Sequence, residues 1–244
     1  MGMHFGVVAA KASWERFFAE LSGLTGRFLD RGRVKTLEEV DFDAHDDGFL
    51  LVGGEHEGNA YLHDSSMILS GGTFDRLVEL SRRLSCTLAA CVGETVSGSF
   101  GLLIAENGSL GRLYYNCVSA IREPFSLGTP LAVKSRLGLE DVDGVGLLEA
   151  LRDQGLDYVA WVRRGSKHTY LYTCEGLNQA SSPTRGPIEA AFDEHWKRHE
   201  YPKGQAPSPR VVSRVLPDGS MGFGIVARRP GERRKGWLSR LLGR

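Results

Sequence analysis

Residues 87–117 read TLAACVGETVSGSFGLLIAENGSLGRLYYNC, a run of three strand-like segments joined by short turns. Thr87–Val92 and Ser99–Ala105 are rich in strand formers and small apolar residues, with a polar, glycine-bearing loop between them. Asn107-Gly108 then turns the chain into Leu110–Cys117. An Asn-Gly pair flanked by strand formers marks a type I′ hairpin turn, because both central residues need positive φ.

On either side of this stretch, single helices alternate with further hairpins. Thr73 starts a helix whose apolar stripe is Phe74, Leu77, Val78, Leu80 and Leu84. Phe5–Lys11 reads as a strand, and Ser13 caps a helix over Trp14–Ser22. Gly23–Val40 reads as irregular and charged, with a short helix from Thr36. Gly48–Val52 and Ala60–His63 read as strands around a loop at Gly53–Asn59. Downstream, a loop passes through Pro124, Gly128 and Pro130 to a helix over Val145–Gln154, capped by Asp143. Asp157–Val162 and His168–Thr173 read as a hairpin turned at Arg163–Lys167. Cys174–Gly186 has linker composition, Pro187–His199 reads as a helix, and Val211–Val215 with Phe223–Val226 forms a last hairpin. The pattern predicts an α+β fold: an antiparallel or mixed sheet built from hairpins, with helices packed on one face. It divides into a main domain over 1–176, a helix plus hairpin over 177–229, packed on that domain, and a basic amphipathic tail over 230–244.

Composition narrows the class. The chain has 244 residues, 41% hydrophobic and 25% charged, as expected of a globular protein with its own core. No apolar run approaches the ~20 residues of a membrane span, and the N-terminus shows no signal peptide. Cys86, Cys91, Cys117 and Cys174 form no Cys-x-x-Cys pair and read as buried thiols in a reducing cytoplasm. The 30 basic and 30 acidic residues balance overall but not locally. Arg228–Arg244 holds seven basic residues and one acid, leaving the body with six excess acids.

Three regions are candidates for function. Glu38-Glu39-Val40-Asp41-Phe42-Asp43-Ala44-His45-Asp46-Asp47 packs six carboxylates into ten residues, with Val40 and Phe42 interleaved. Clustered charge speeds encounter and sets specificity, so Glu38, Glu39, Asp41, Asp43, Asp46 and Asp47 are the expected contacts for a basic partner. In the tail, Arg233, Arg234, Lys235, Trp237 and Arg240 are the contacts expected for an anionic membrane surface; on a helix, Trp237, Leu238, Leu241 and Leu242 share one face. The third is a pocket built from the loops at His63–Ser66 and Gly93–Ser99, with His63, Ser65, Glu94 and Ser97 as its polar groups and Cys91 nearby.

Other motifs fail on their chemistry. His63-Asp64-Ser65-Ser66 has triad residue types, but adjacency gives poor geometry for proton transfer. Gly93–Ser99 lacks the lysine of a phosphate loop. His195 and His199 stand one helical turn apart with cations, not a carboxylate, between them, so no metal is expected. Asp141-Val142-Asp143-Gly144 lacks the remaining ligands of a calcium loop. No cofactor is implied. Nucleic acid is disfavoured because the body offers no basic groove.

One resemblance carries over part of the chain. Leu80-Ser81-Arg82-Arg83-Leu84, the strand pair around Glu106–Leu113, and Glu123-Pro124-Phe125-Ser126-Leu127-Gly128-Thr129-Pro130-Leu131 resemble small bacterial α+β proteins, some of them immunity proteins of toxin systems. The likeness spans residues 73–155 and departs from the pattern at Lys134. It implies a protein that binds another protein and transfers no catalytic residue.

The reading that results is a non-enzymatic, cytoplasmic protein-binding module that docks a basic partner through acidic surface. A small hydrolase or transferase using the loop-built pocket is the second reading, and a peripheral membrane protein held by its tail is the third. Oligomeric state stays open, since strand edges such as Val211–Val215 can pair between chains.

Overall fold

Side chains alternate across a strand, so a strand buried on both sides must carry two apolar sets at once. His4–Ala10 (β1) does this: Val8 and Ala10 belong to one core, Val7 and Ala9 to another, and all four are fully buried. The structure, a computed structural model, describes residues 4–42, 48–131, 144–173, 186–215 and 221–228.

The other strands are Phe28–Arg33 (β2), Phe49–His56 (β3), Asn59–His63 (β4), Thr87–Glu94 (β5), Ser99–Glu106 (β6), Ser109–Cys117 (β7), Phe125–Gly128 (β8) and His168–Tyr172 (β9). They form one antiparallel sheet in the order β2-β9-β3-β4-β1-β5-β6-β7-β8. Ser208–Val215 (β10) and Met221–Arg228 (β11) pair separately. The predicted α+β class with an antiparallel sheet and packed helices is what forms.

On the first face lie Trp14–Thr25 (α1), the short Ile68–Gly72 (α2) and Phe74–Leu84 (α3). Ser13 caps α1 by accepting from the Arg16 amide, and Phe17 and Leu21 drop into the core. Leu77, Leu80 and Leu84 of α3 pack beside them. Ser81 Oγ accepts from the Gly108 amide at 2.9 Å, tying α3 to the Asn107-Gly108 turn, where φ is 51° and 85°. Pro187–His199 (α6) adds Phe192, set edge-on to Phe74, Tyr115 and Phe125.

Helical packing extends to the second face. Gly144–Asp153 (α4) buries Leu147, Ala150 and Leu151, and Tyr158–Arg164 (α5) buries Trp161. The α5 segment corrects the hairpin expected over Asp157–Thr173. Tyr, Val and Trp favour strands, but Asp157 Oδ1 accepts from the Ala160 amide at 2.9 Å and starts a helix. Helical spacing then aims Trp161 at Tyr61, ring centroids 5.5 Å apart, and seats its indole N–H on the Ser166 carbonyl. His168–Tyr172 is a strand, as expected, but it inserts between β2 and β3 rather than folding back on its neighbour.

Three smaller readings are corrected. Gly53–Asn59 is not a loop: β3 runs through His56, and Glu57-Gly58 alone makes the turn, at φ 50° and 73°. Gly53 and Gly54 sit inside that strand because a Cβ at Gly53 would strike the Trp14 ring and one at Gly54 the Ser166 carbonyl. Phe28–Arg33 is an edge strand with an irregular register between Asp30 and Gly32, and Phe125–Gly128 is the opposite edge. Asp143, most of the Cys174–Gly186 linker and the turn expected at Pro217–Gly219 lie outside the described residues, as does 230–244.

If Trp161 anchors α5 to the sheet, Trp161→Ala costs about 3–5 kcal/mol of unfolding free energy, and Asp157→Ala about 1 kcal/mol through loss of the cap. Urea denaturation measures both. A cost for Trp161→Ala no larger than that for Asp157→Ala would contradict the docking of α5.

Candidate functional site

The acidic segment is held by its apolar members. Val40 and Phe42 pack against the second core, while Glu38, Glu39 and Asp41 stay exposed. Leu37–Glu39 forms a single 3₁₀ turn, and Glu39 Oε2 accepts from the Lys35 amide at 3.0 Å. The Glu38 carboxyl is held below the usual range by its own backbone N–H, then by Thr36, with Lys167 adding a smaller attraction. Asp43, Asp46 and Asp47 lie outside the described residues. The neighbourhood is mixed in sign, because Arg31, Arg33 and Lys35 are exposed just upstream.

Beside this segment the second face carries a cleft of about 410 Å³. The α4 and α5 helices cover the middle of that face. Towards β3 and β9 the covering is the segment that follows β2. Leu50, Thr169 and Leu171 lie on the sheet, Val34, Glu39, Val40 and Asp41 come from the covering segment, and Arg31 completes the lining. Thr169 is 7% exposed, and its hydroxyl finds no hydrogen-bond partner among the described residues. A buried hydroxyl left unpaired costs about 1–3 kcal/mol.

Nearby, Lys167 is almost wholly buried. Its Nζ donates to the Gly165 carbonyl at 2.9 Å and lies 5.6 Å from the centre of the Trp161 ring. Burial pulls its pKa down, opposed by Glu38.

The four residues expected to share a pocket do not all come together: His63 and Glu94 lie on opposite faces of the sheet, and Ser65 and Ser97 lie in turns. His63 lies in the row of β4, β1 and β5 that includes Val7 and Cys91, whereas Glu94 stands three residues further along β5, opposite His4. An odd offset reverses the face and adds about 10 Å along the strands. His63 is buried beneath α5: Tyr158 Oη lies 2.9 Å from Nδ1, and Phe42 is set edge-on at 5.2 Å. Burial, opposed by Asp64, pulls His63 down to about 4, and burial pushes the Cys91 thiol up to about 12. Neither is presented to a substrate. Ser65 sits in the turn after β4.

Glu94 and Ser97 do meet. Ser97 Oγ donates to Glu94 Oε2 and lies 2.6 Å from Ser99 Oγ, while His4 Nε2 is 3.0 Å from Glu94 Oε1. The carboxylate therefore separates imidazole from hydroxyl. Nucleophile activation in a triad needs the imidazole in the middle, so this row holds the strand ends together without activating serine.

Asp64 organises the turn that follows β4. Fully buried, it accepts from the Leu69 and Ser70 amides and from the Ser66 and Ser70 hydroxyls at 2.6–3.0 Å.

His195 and His199 stack at 4.3 Å, with His195 Nε2 2.9 Å from the Glu123 carbonyl and His199 Nδ1 3.5 Å from the Glu123 carboxylate. Among the described residues no group of three or more His, Cys, Asp or Glu side chains is arranged to hold a metal, and no helix is long and apolar enough to cross a membrane. Arg233, Arg234, Lys235, Trp237 and Arg240 lie outside the described residues, as does Cys174, while Cys86, Cys91 and Cys117 are free thiols.

Compared with known proteins, the chain matches no family model, no curated protein and no solved structure.

The buried His63 makes a pH prediction. Its pKa is depressed from 6.5, so the unfolded chain takes up a proton that the folded state resists. Stability is full above about pH 6.5 and falls as pH drops towards 4, a swing of ~3 kcal/mol. Glu79, held down to about 2 by Arg82 and then Arg83, acts in the lower window from 4.5 to 2. Denaturation of wild type and His63→Gln across pH 7 to 4 should show a slope in the first and a much flatter line in the second. Equal slopes would contradict a buried, neutral His63.

Proposed function

We propose that this protein is a non-enzymatic binding module that docks a basic protein partner through the segment carrying Glu38, Glu39 and Asp41. One observation carries the reading. An acidic segment whose apolar members Val40 and Phe42 pack inward holds its carboxylates outward beside a cleft with apolar walls. Charge on a fixed segment loses less entropy on binding than charge on a free loop, and an adjoining apolar cleft supplies desolvated area that charge alone lacks. The resemblance of residues 73–155 to immunity-type proteins points to the same class of activity, inhibition or protection by binding. A basic partner surface also complements the excess of acid in the body of the chain.

The test is selection from a displayed peptide library of basic, neutral and acidic composition, using the full chain. Wild type should enrich basic peptides, with affinity falling as salt rises. The charge-reversed variant Glu38→Lys/Glu39→Lys/Asp41→Lys should lose at least about tenfold in affinity for them. All three positions are exposed, so the fold should tolerate the changes, which circular dichroism checks. Undiminished binding by the folded variant would overturn the proposal.

A further inference from the structure

We infer that the cleft beside the acidic segment receives the side chain of one isolated basic residue, arginine or lysine, from the docked partner. The inference rests on the binding reading above and specifies what that site takes. Val34, Val40, Leu50 and Leu171 line the cleft with aliphatic carbon, suited to the methylene stem of a long basic side chain, which buries its stem and keeps its charged head among polar groups. The polar lining contributed by Glu39 and Thr169 suits such a head. Glu39 supplies an anionic acceptor. The Thr169 hydroxyl, buried and unpartnered among the described residues, supplies a neutral one.

A strand threonine whose hydroxyl makes no hydrogen bond among the described residues is not needed there by the fold, since valine has the same shape. A ligand N–H donor gives that hydroxyl the bond it lacks. At about 410 Å³ the cleft is in the range of small-ligand sites and admits one side chain rather than a helix or strand.

Arg31 sets the limit on the partner. Arg31 lines the same cleft and makes no ion pair among the described residues. A cation there repels a second positive charge next to the inserted one. The cleft therefore admits one basic side chain and disfavours another immediately beside it, so a basic partner surface whose cations are spaced apart fits better than a consecutive run.

Calorimetry on the full chain tests this with short peptides holding one arginine in a glycine-serine frame. Matched peptides carry citrulline, the uncharged isostere, or three consecutive arginines. Blocked arginine and free arginine are titrated in parallel. The single-arginine peptide and blocked arginine should bind, and citrulline should weaken binding by roughly tenfold or more. Thr169→Val should weaken binding roughly tenfold while raising the thermal midpoint. Leu50→Trp, which fills the cleft, should abolish binding. Arg31→Ala should improve the three-arginine peptide relative to the single one.

Binding of free arginine alone would overturn the inference in favour of an amino-acid site. If Thr169→Val and Leu50→Trp bind like wild type while the charge-reversed variant does not, the cleft inference falls and the surface reading stands. If the charge-reversed variant also binds like wild type, both fall.

Discussion

The structure depends on the two-sided burial of its central strands. Val7 and Ala9 of β1, Ala89 and Cys91 of β5, and Leu102 and Ile104 of β6 face one core, and their alternating neighbours face the other. A register slip of one residue would exchange the two sets, so both helical layers hold the register in place. At the centre the residues are small, with Ala9 paired to Ala89 across β1 and β5. The same alternation fixes where chemistry cannot assemble. It sends His63 beneath α5 and Glu94 to the opposite face, dispersing the polar groups that a pocket would have to collect.

The two faces are not equally closed. The first carries α1, α2, α3 and α6, which spread from β3 to β8. On the second, α4 and α5 reach the middle strands, and the extended segment after β2 covers the end near β9. A wall of irregular backbone packs less fully than a helix, and a cleft remains between it and the strands. Irregular chain around a cleft is a common place for binding, because a rigid sheet holds loop-borne groups in position.

What the sequence made legible was local. Asn107-Gly108, Ser13 and the α3 stripe each encode their structure within a few residues, and each formed as read. The failures came where distant contacts decide. Tyr158–Arg164 has strand-forming residues but becomes helical because Asp157 caps it and Trp161 gains a buried stack on Tyr61. Gly53-Gly54 reads as a turn, yet the glycines serve close approach by Trp14 and by Ser166. His168–Tyr172 cannot be paired from sequence, since its partners lie more than a hundred residues upstream. The site was half legible for the same reason. Charge density exposed Glu38, Glu39 and Asp41, but the apolar lining and Thr169 come from segments that meet only through β9, and no short-range pattern joins them.

The proposed binding is seated at the β9–β3 end of the second face. Mapping amide chemical shifts of the isotope-labelled full chain against a basic peptide addresses this directly. Shifts should concentrate at Val34–Asp41, Leu50 and Thr169–Leu171, with β6 and β7 silent. Shifts centred on His4, Glu94 and Ser97, or none above the effect of added salt, would contradict it.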